Sequence, residues 1–154
     1  MPCPFSLLIA GVRVILHCSI FKRNKQKTII LKIFKIMLYT NLKHIESAAD
    51  HARIISENEN VMVICGRMGP MCIPVYGIAE ELEEEYPHVK FYDMEFDNPE
   101  AHVIRNLPEV RGFMGIPFTI YYKNGKVVKA TSSIQSRQQV TAILDEHFKQ
   151  TVNA

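Results

Sequence analysis

GIPFTIYYKNGKVV, residues 115–128, packs a proline, a run of aromatic and β-branched residues and a Lys-Asn-Gly-Lys turn into fourteen positions. Phe118 to Tyr122 suit a pleated, half-buried backbone. Asn124-Gly125 between two such runs is the strongest short-range hairpin signal a sequence offers. The stretch FTIYY-KNGK-VVKAT therefore predicts two antiparallel strands with Asn124-Gly125 at the tip.

Working outward, VKFYDMEF reads as another strand, followed by a short helix in DNPEAHVIRNL, with Asp97 or Asn98 as cap and Pro99 at the first helical position. From about Pro70, the apolar residues Ile73, Tyr76, Ala79, Leu82 and Tyr86 recur at helical spacing until Pro87 stops them. Glu80, Glu81, Glu83, Glu84 and Glu85 read as the solvated face of that helix. VMVI is a short continuous apolar run bounded by turn residues, as expected of a strand covered on both faces. Upstream, Thr40 or Asn41 caps a predicted helix carrying Leu42, Ile45, Ala49, Ala52 and Ile55, which SENEN breaks. At the other end Ser136 and Gln139 form a capping box before the stripe Val140, Ile143, Leu144 and Phe148. The order α-β-α-β-α-β-β-α predicts an α/β protein, a central mixed sheet with helices on both faces.

The chain has 154 residues, enough for one domain with a core, and its 47% hydrophobic and 22% charged content is that of a globular protein. Charge is unevenly placed. Residues 1–40 carry Arg13, Lys22, Arg23, Lys25, Lys27, Lys32 and Lys35 and no acid, whereas residues 41–154 set 11 Lys and Arg against all 16 acids, a net of −5. An acidic module lacks the electrostatic footprint for nucleic acid, so that class of partner is excluded. The apolar stretch PFSLLIAGVRVILHCSIF is interrupted by Arg13 and His17, and an Arg near a membrane centre costs about 2.5–3.5 kcal/mol. Its basic cluster KRNKQK comes after the apolar run, the reverse of a secretory signal. Three readings of residues 1–36 stand: a start codon placed too early, with Met37 the true start, a membrane anchor, or a loosely ordered extension. Only the anchor brings a membrane into contact. The domain proper is then 37–154, and Cys3 and Cys18 lie outside it.

That leaves Cys65 and Cys72, six residues apart in VMVICGRMGPMCIPVYGIAEEL, residues 61–82. A strand end and the first turn of the next helix can approach to the roughly 4.4–6.8 Å Cα separation of a disulfide. Gly69 permits unusual dihedrals in the loop, and Pro70 suits a helix start. In a first turn, free N–H groups and the macrodipole lower a thiol pKa, and Arg67 adds positive charge. A redox pair, two buried structural cysteines and part of a metal site all remain open. Zinc calls for four ligands, and His88 and His102, which read as surface histidines, would join only by coincidence of folding.

Several segments together resemble a thioredoxin. GIPFTIYYKNGKVV is similar to the family's cis-proline, threonine-containing strand and Lys-Asn-Gly hairpin; DMEFDNPEAHVIRN to its strand and Asp-x-Asn-Pro turn; GPMCIPVYGIAEELEEEYP to its active-site helix. The resemblance spans about residues 37–150, with MLY at 37–39 supplying the first strand. The departures fall on the chemistry. Cys65-Gly-Arg-Met-Gly-Pro-Met-Cys72 replaces Trp-Cys-Gly-Pro-Cys, and counting back from Tyr86 puts Gly69 at the family's first cysteine. The chain has no tryptophan, no acid within Val61 to Ile64, and no glycine in KATSSI.

The resemblance implies a thioredoxin fold and a thiol–disulfide oxidoreductase. Cys65 and Cys72 would be the catalytic thiols, forming a reversible disulfide with at least one thiol of depressed pKa and acting on protein or peptide disulfides, with Arg67 activating a thiol. Gly69, Pro70, Ile116 and a cis Pro117 would line the substrate site, beside an adaptable surface of Met68, Met71 and Met114. It further implies a cytoplasmic monomer, no metal, no cofactor beyond the disulfide, and a thioredoxin reductase as reductant. The departures leave a second expectation: a redox-inactive module that holds extended peptides at the Ile116-Pro117 edge.

Overall fold

The computed structural model describes residues 38–149. The leader 1–36, with its cysteines, and the proposed start at Met37 lie outside the described residues.

Five strands form one sheet in the order β1-β3-β2-β4-β5, comprising β1 (Lys43–His44), β2 (Asn60–Gly66), β3 (Lys90–Glu95), β4 (Phe118–Lys123) and β5 (Lys126–Ser132). β1 and β2 run parallel to β3, β4 is antiparallel to β2, and β5 is antiparallel to β4. The sheet is therefore mixed. Asn124 and Gly125 have φ of 50° and 74°, the paired positive dihedrals that a two-residue hairpin needs to follow the strand twist.

Four α-helices cover the two faces: α1 (Ala48–Glu57), α2 (Ile73–Glu85), α3 (His102–Arg105) and α4 (Arg137–His147). β2 shows how the layers are built. Its residues are buried throughout, and strand alternation sends Met62 and Ile64 to one side and Val61, Val63 and Cys65 to the other. The first set packs with Phe91 and Tyr121 against Val75, Tyr76, Ala79 and Leu82 of α2 and Val140 and Leu144 of α4. The second packs with Met94, Ile120 and Tyr122 against Ile54 of α1 and Ile104 of α3. Full burial of each such side chain contributes about 1.5–3 kcal/mol.

The caps follow the sequence closely at the C-terminal end. Ser136 Oγ accepts from Gln139 N–H at 3.3 Å, and Gln139 Oε1 accepts from Ser136 N–H at 2.8 Å. Asn98 Oδ1 accepts from Glu100 N–H at 3.0 Å, and Pro99 opens a 3₁₀ turn that runs into α3.

The N-terminal end corrects the sequence reading. The first helix starts at Ala48 behind a Ser47 cap, not at Thr40 or Asn41, and the first strand is Lys43–His44, not residues 37–39. Leu42 and Ile45 match a helical spacing but are buried in opposite layers, which only an extended backbone allows. The segment is held by Asp93, which is fully buried; its carboxylate accepts from Thr40 Oγ1 and pairs with His44 Nδ1 at 2.5 Å. The helix after β2 also begins later than Pro70: residues 69–72 form a turn, and Pro74 is the proline of the first helical turn. No helix among the described residues is long and apolar enough to cross a membrane.

Candidate functional site

The C-terminal ends of the parallel strands β2 and β3 meet the loop that enters β4 at one edge of the domain. β2 ends in Gly66, whose bare Cα lies on the α2 side of the sheet. A Cβ built there would come to 3.0 Å from Cys72 Sγ, 3.0 Å from Pro117 Cβ and 2.7 Å from Tyr76 Oη. Glycine is therefore required by close approach, and the three groups converge because it is glycine. Cys72 sits at the N-cap of α2, with its N–H donating to Gly69 C=O at 3.0 Å, and its side chain is only 1% exposed.

Cys65 is one residue from Gly66 and, by the same alternation, faces the other way. It lies at 0% exposure among Val63, Met94 and Phe118, in the layer opposite Cys72, and pairs with both β3 and β4. The structure does not bring the two predicted catalytic thiols together; both are free. A disulfide would require the end of an interior strand to turn over. The expected depression of a thiol pKa is also corrected. Burial pushes Cys65 up to about 12, against a partial lowering by Arg105. Burial also raises Cys72, opposed by a hydrogen bond from the Arg67 backbone N–H and by the Arg67 charge. Burial is the larger effect because the sulfur is shut away from water.

Arg67 acts on Cys72 in the expected sense, its charge and its backbone N–H both lowering the thiol's pKa, but its guanidinium is bound elsewhere. Its guanidinium makes a two-pronged pair with Asp97, 2.6 Å on each prong, and lies over the Phe96 ring at 5.2 Å. Its backbone, not its side chain, supplies the hydrogen bond to Cys72. The salt bridge instead pins the loop after β2 to the turn after β3. Gly69 has open space around it, and Pro70 stands in the same exposed turn before α2.

The Ile116–Pro117 peptide is cis, and Pro117 C=O accepts from Ser133 N–H at 2.9 Å. Immediately before it, the backbone groups of Met114, Gly115 and Ile116 make no hydrogen bond among the described residues. Exposed apolar side chains lie in this stretch and in the segments that join it at Gly66 and Ser133: Met114 at 97%, Met68 and Met71 in the loop between β2 and α2, Ile73 at the start of α2, and Ile134 next to Ser133. Among the described residues, no three His, Cys, Asp or Glu side chains form a metal-binding group.

Sequence reading missed Gly66, Tyr76 and Glu95. Tyr76 reads as one member of a helical stripe, yet its buried hydroxyl finds no hydrogen-bond partner among the described residues. Glu95, in register with Gly66, has one buried carboxylate oxygen in the same condition. Both signals need three-dimensional placement; parity along VMVICG could have separated Cys65 from the α2 face.

No protein-family model and no curated protein sequence matches the chain. Solved structures do. A Plasmodium falciparum thioredoxin superposes with a TM-score of 0.58 at 24% identity, covering 69% of this chain and 99% of that one. A Fasciola hepatica thioredoxin gives 0.59 at 22%, with 69% and 99% covered. Oxidised mitochondrial thioredoxin 3 from Saccharomyces cerevisiae gives 0.57 at 14%, with 68% and 94% covered. The chain has the thioredoxin fold.

Proposed function

We propose that this thioredoxin-fold chain carries out thiol–disulfide exchange on extended polypeptide segments, with Cys72 as the reacting thiol. One observation carries the reading: Cys72 Sγ and the Pro117 ring meet at Gly66, directly beside the unpaired backbone of Gly115 and Ile116. An extended peptide laid along that backbone gains main-chain hydrogen bonds as an added strand does, and the methionine rim adapts to its side chains. Its disulfide is thereby delivered next to Cys72. The thiolate of Cys72 attacks one sulfur, the substrate S–S bond breaks, and the second sulfur leaves as a thiolate that takes up the proton Cys72 lost. The mixed disulfide is released by a second thiol, whose attack returns Cys72 to the thiol. Cys65, the other thiol among the described residues, faces the other layer, so we assign that second thiol to the substrate or to an external reductant.

A second reading, binding without redox chemistry, is favoured by the 1% exposure of Cys72 and the upward push of burial on its pKa. Both are tested with a peptide carrying a mixed disulfide to thionitrobenzoate. Exchange predicts release of the chromophore by wild type and by Cys65→Ser, and none by Cys72→Ser. Binding of the peptide without release by the wild type supports the second reading and removes the first.

A further inference from the structure

Tyr76 lies on α2 one turn from Cys72, and its ring is packed in the core at 2% exposure. Phenylalanine would fill that space equally well. The hydroxyl is nevertheless present, buried, and without a hydrogen-bond partner among the described residues. Leaving such a group unpaired typically costs about 1–3 kcal/mol, so its direction is informative. It points at the Cα of Gly66, where Cys72 Sγ also points; the two atoms lie 2.7 and 3.0 Å from the same unfilled Cβ position. Not even a methyl group fits there without one of them shifting. We infer that the Tyr76 hydroxyl is the hydrogen-bond donor reserved for the Cys72 sulfur, stabilising it when it carries negative charge before attack and when it leaves the mixed disulfide.

Other groups face this pair. The Arg67 backbone N–H and charge act on Cys72 from the loop, Glu95 and Asp93 approach from β3, and Cys65 lies behind the sheet. Arg67 favours a thiolate on Cys72 and Glu95 opposes it, while Asp93 acts on Tyr76. Tyr76 adds a donor on the side that Arg67 does not reach. With no acid in Val61 to Ile64, a neutral phenol supplies hydrogen bonding there at no cost in negative charge.

The inference rests on Cys72 being the reacting thiol. Its test is alkylation of the full chain by iodoacetamide across a pH series, resolved at Cys72 by peptide mass spectrometry, for wild type and Tyr76→Phe. Loss of a hydrogen bond to a charged sulfur should move the Cys72 profile up by about one pH unit or more, roughly a tenfold slower reaction below it. The melting temperature should stay level or rise, because an unpaired buried hydroxyl has gone. An unmoved profile overturns the inference. If the profile moves and stability also falls, 3-fluorotyrosine at position 76 decides: the stronger donor must shift the profile down, and no shift overturns the inference. Alkylation needs no peptide, so a chain that alkylates as expected but releases no thionitrobenzoate loses the proposed exchange while the Tyr76–Cys72 link stands.

Discussion

Cys72 Sγ and Pro117 Cβ come to the same 3.0 Å from the position a Cβ would occupy on Gly66, so thiol and proline meet over a residue with no side chain. Gly66→Ala places a methyl group where Tyr76 Oη, Cys72 Sγ and a rigid proline ring already stand. Overpacking of this kind costs typically about 1–3 kcal/mol, and exchange at Cys72 should fall with it. Gly69→Ala meets nothing within 4 Å and should stay within about 0.5 kcal/mol of wild type. Urea unfolding of the two variants checks the contrast, and equal midpoints would show that the three groups give way freely.

Cys65 should behave as a core residue. Cys65→Ser puts a hydroxyl among Val63, Met94 and Phe118, where no partner awaits it, and should lower stability by about 1–3 kcal/mol. Cys65→Ala should be milder. Neither should slow exchange. In the native protein, the Cys65 thiol, pushed up to about 12, should resist alkylation through the neutral range.

The hairpin is legible in sequence because Asn124-Gly125 fixes its own dihedrals locally, and the capping box at Ser136 and Gln139 is equally self-contained. The first strand is not, because its two residues are extended only through partners distant in sequence: β3 beside them and the Asp93 carboxylate that holds Thr40 and His44. Leu42 and Ile45 then mimic a helix by chance of spacing. At the site, Ile116 and Pro117 are legible through their motif. The thiols mislead because proximity along the chain says nothing about which face of the sheet a side chain takes; one step from Cys65 to Gly66 changes the layer. The hydroxyl of Tyr76 gains meaning only once Gly66 is seen beneath it.

The Arg67–Asp97 pair is solvent-exposed, so it should contribute little to global stability. Its effect should be local. Asp97→Asn frees the loop that covers Cys72, and Cys72 should alkylate faster at a given pH while the melting temperature barely moves. Raising salt on the wild type should act in the same direction, since screening weakens an exposed pair. A variant whose Cys72 reacts at the wild-type rate would remove the loop-pinning role.

Acid should weaken the fold partly through His51. Its ring is buried against Tyr122, Nε2 to Oη 3.0 Å, and burial lowers its pKa below 6.5. The unfolded chain takes up the proton first, so this contribution is intact above pH 6.5 and is lost as pH falls below it toward the folded value. Asp93 acts in the opposite sense. Burial raises its pKa above 3.8, so the penalty for its charge is present at neutral pH and is relieved as pH falls through the raised value. Urea unfolding as a function of pH should give a shallower decline below pH 6.5 in His51→Gln than in wild type. Parallel curves would assign the acid sensitivity elsewhere.

The proposal that Cys72 and not Cys65 stands at an edge that takes peptides is tested most directly by trapping. The full chain is incubated with a peptide disulfide, quenched in acid, and mapped by mass spectrometry under non-reducing conditions. The expected result is a peptide adduct on Cys72, kept in Cys65→Ser and lost in Cys72→Ser, with no species in which Cys65 and Cys72 are joined. A Cys65–Cys72 disulfide accumulating as the peptide is reduced, or an adduct on Cys65 that survives in Cys72→Ser, would contradict it.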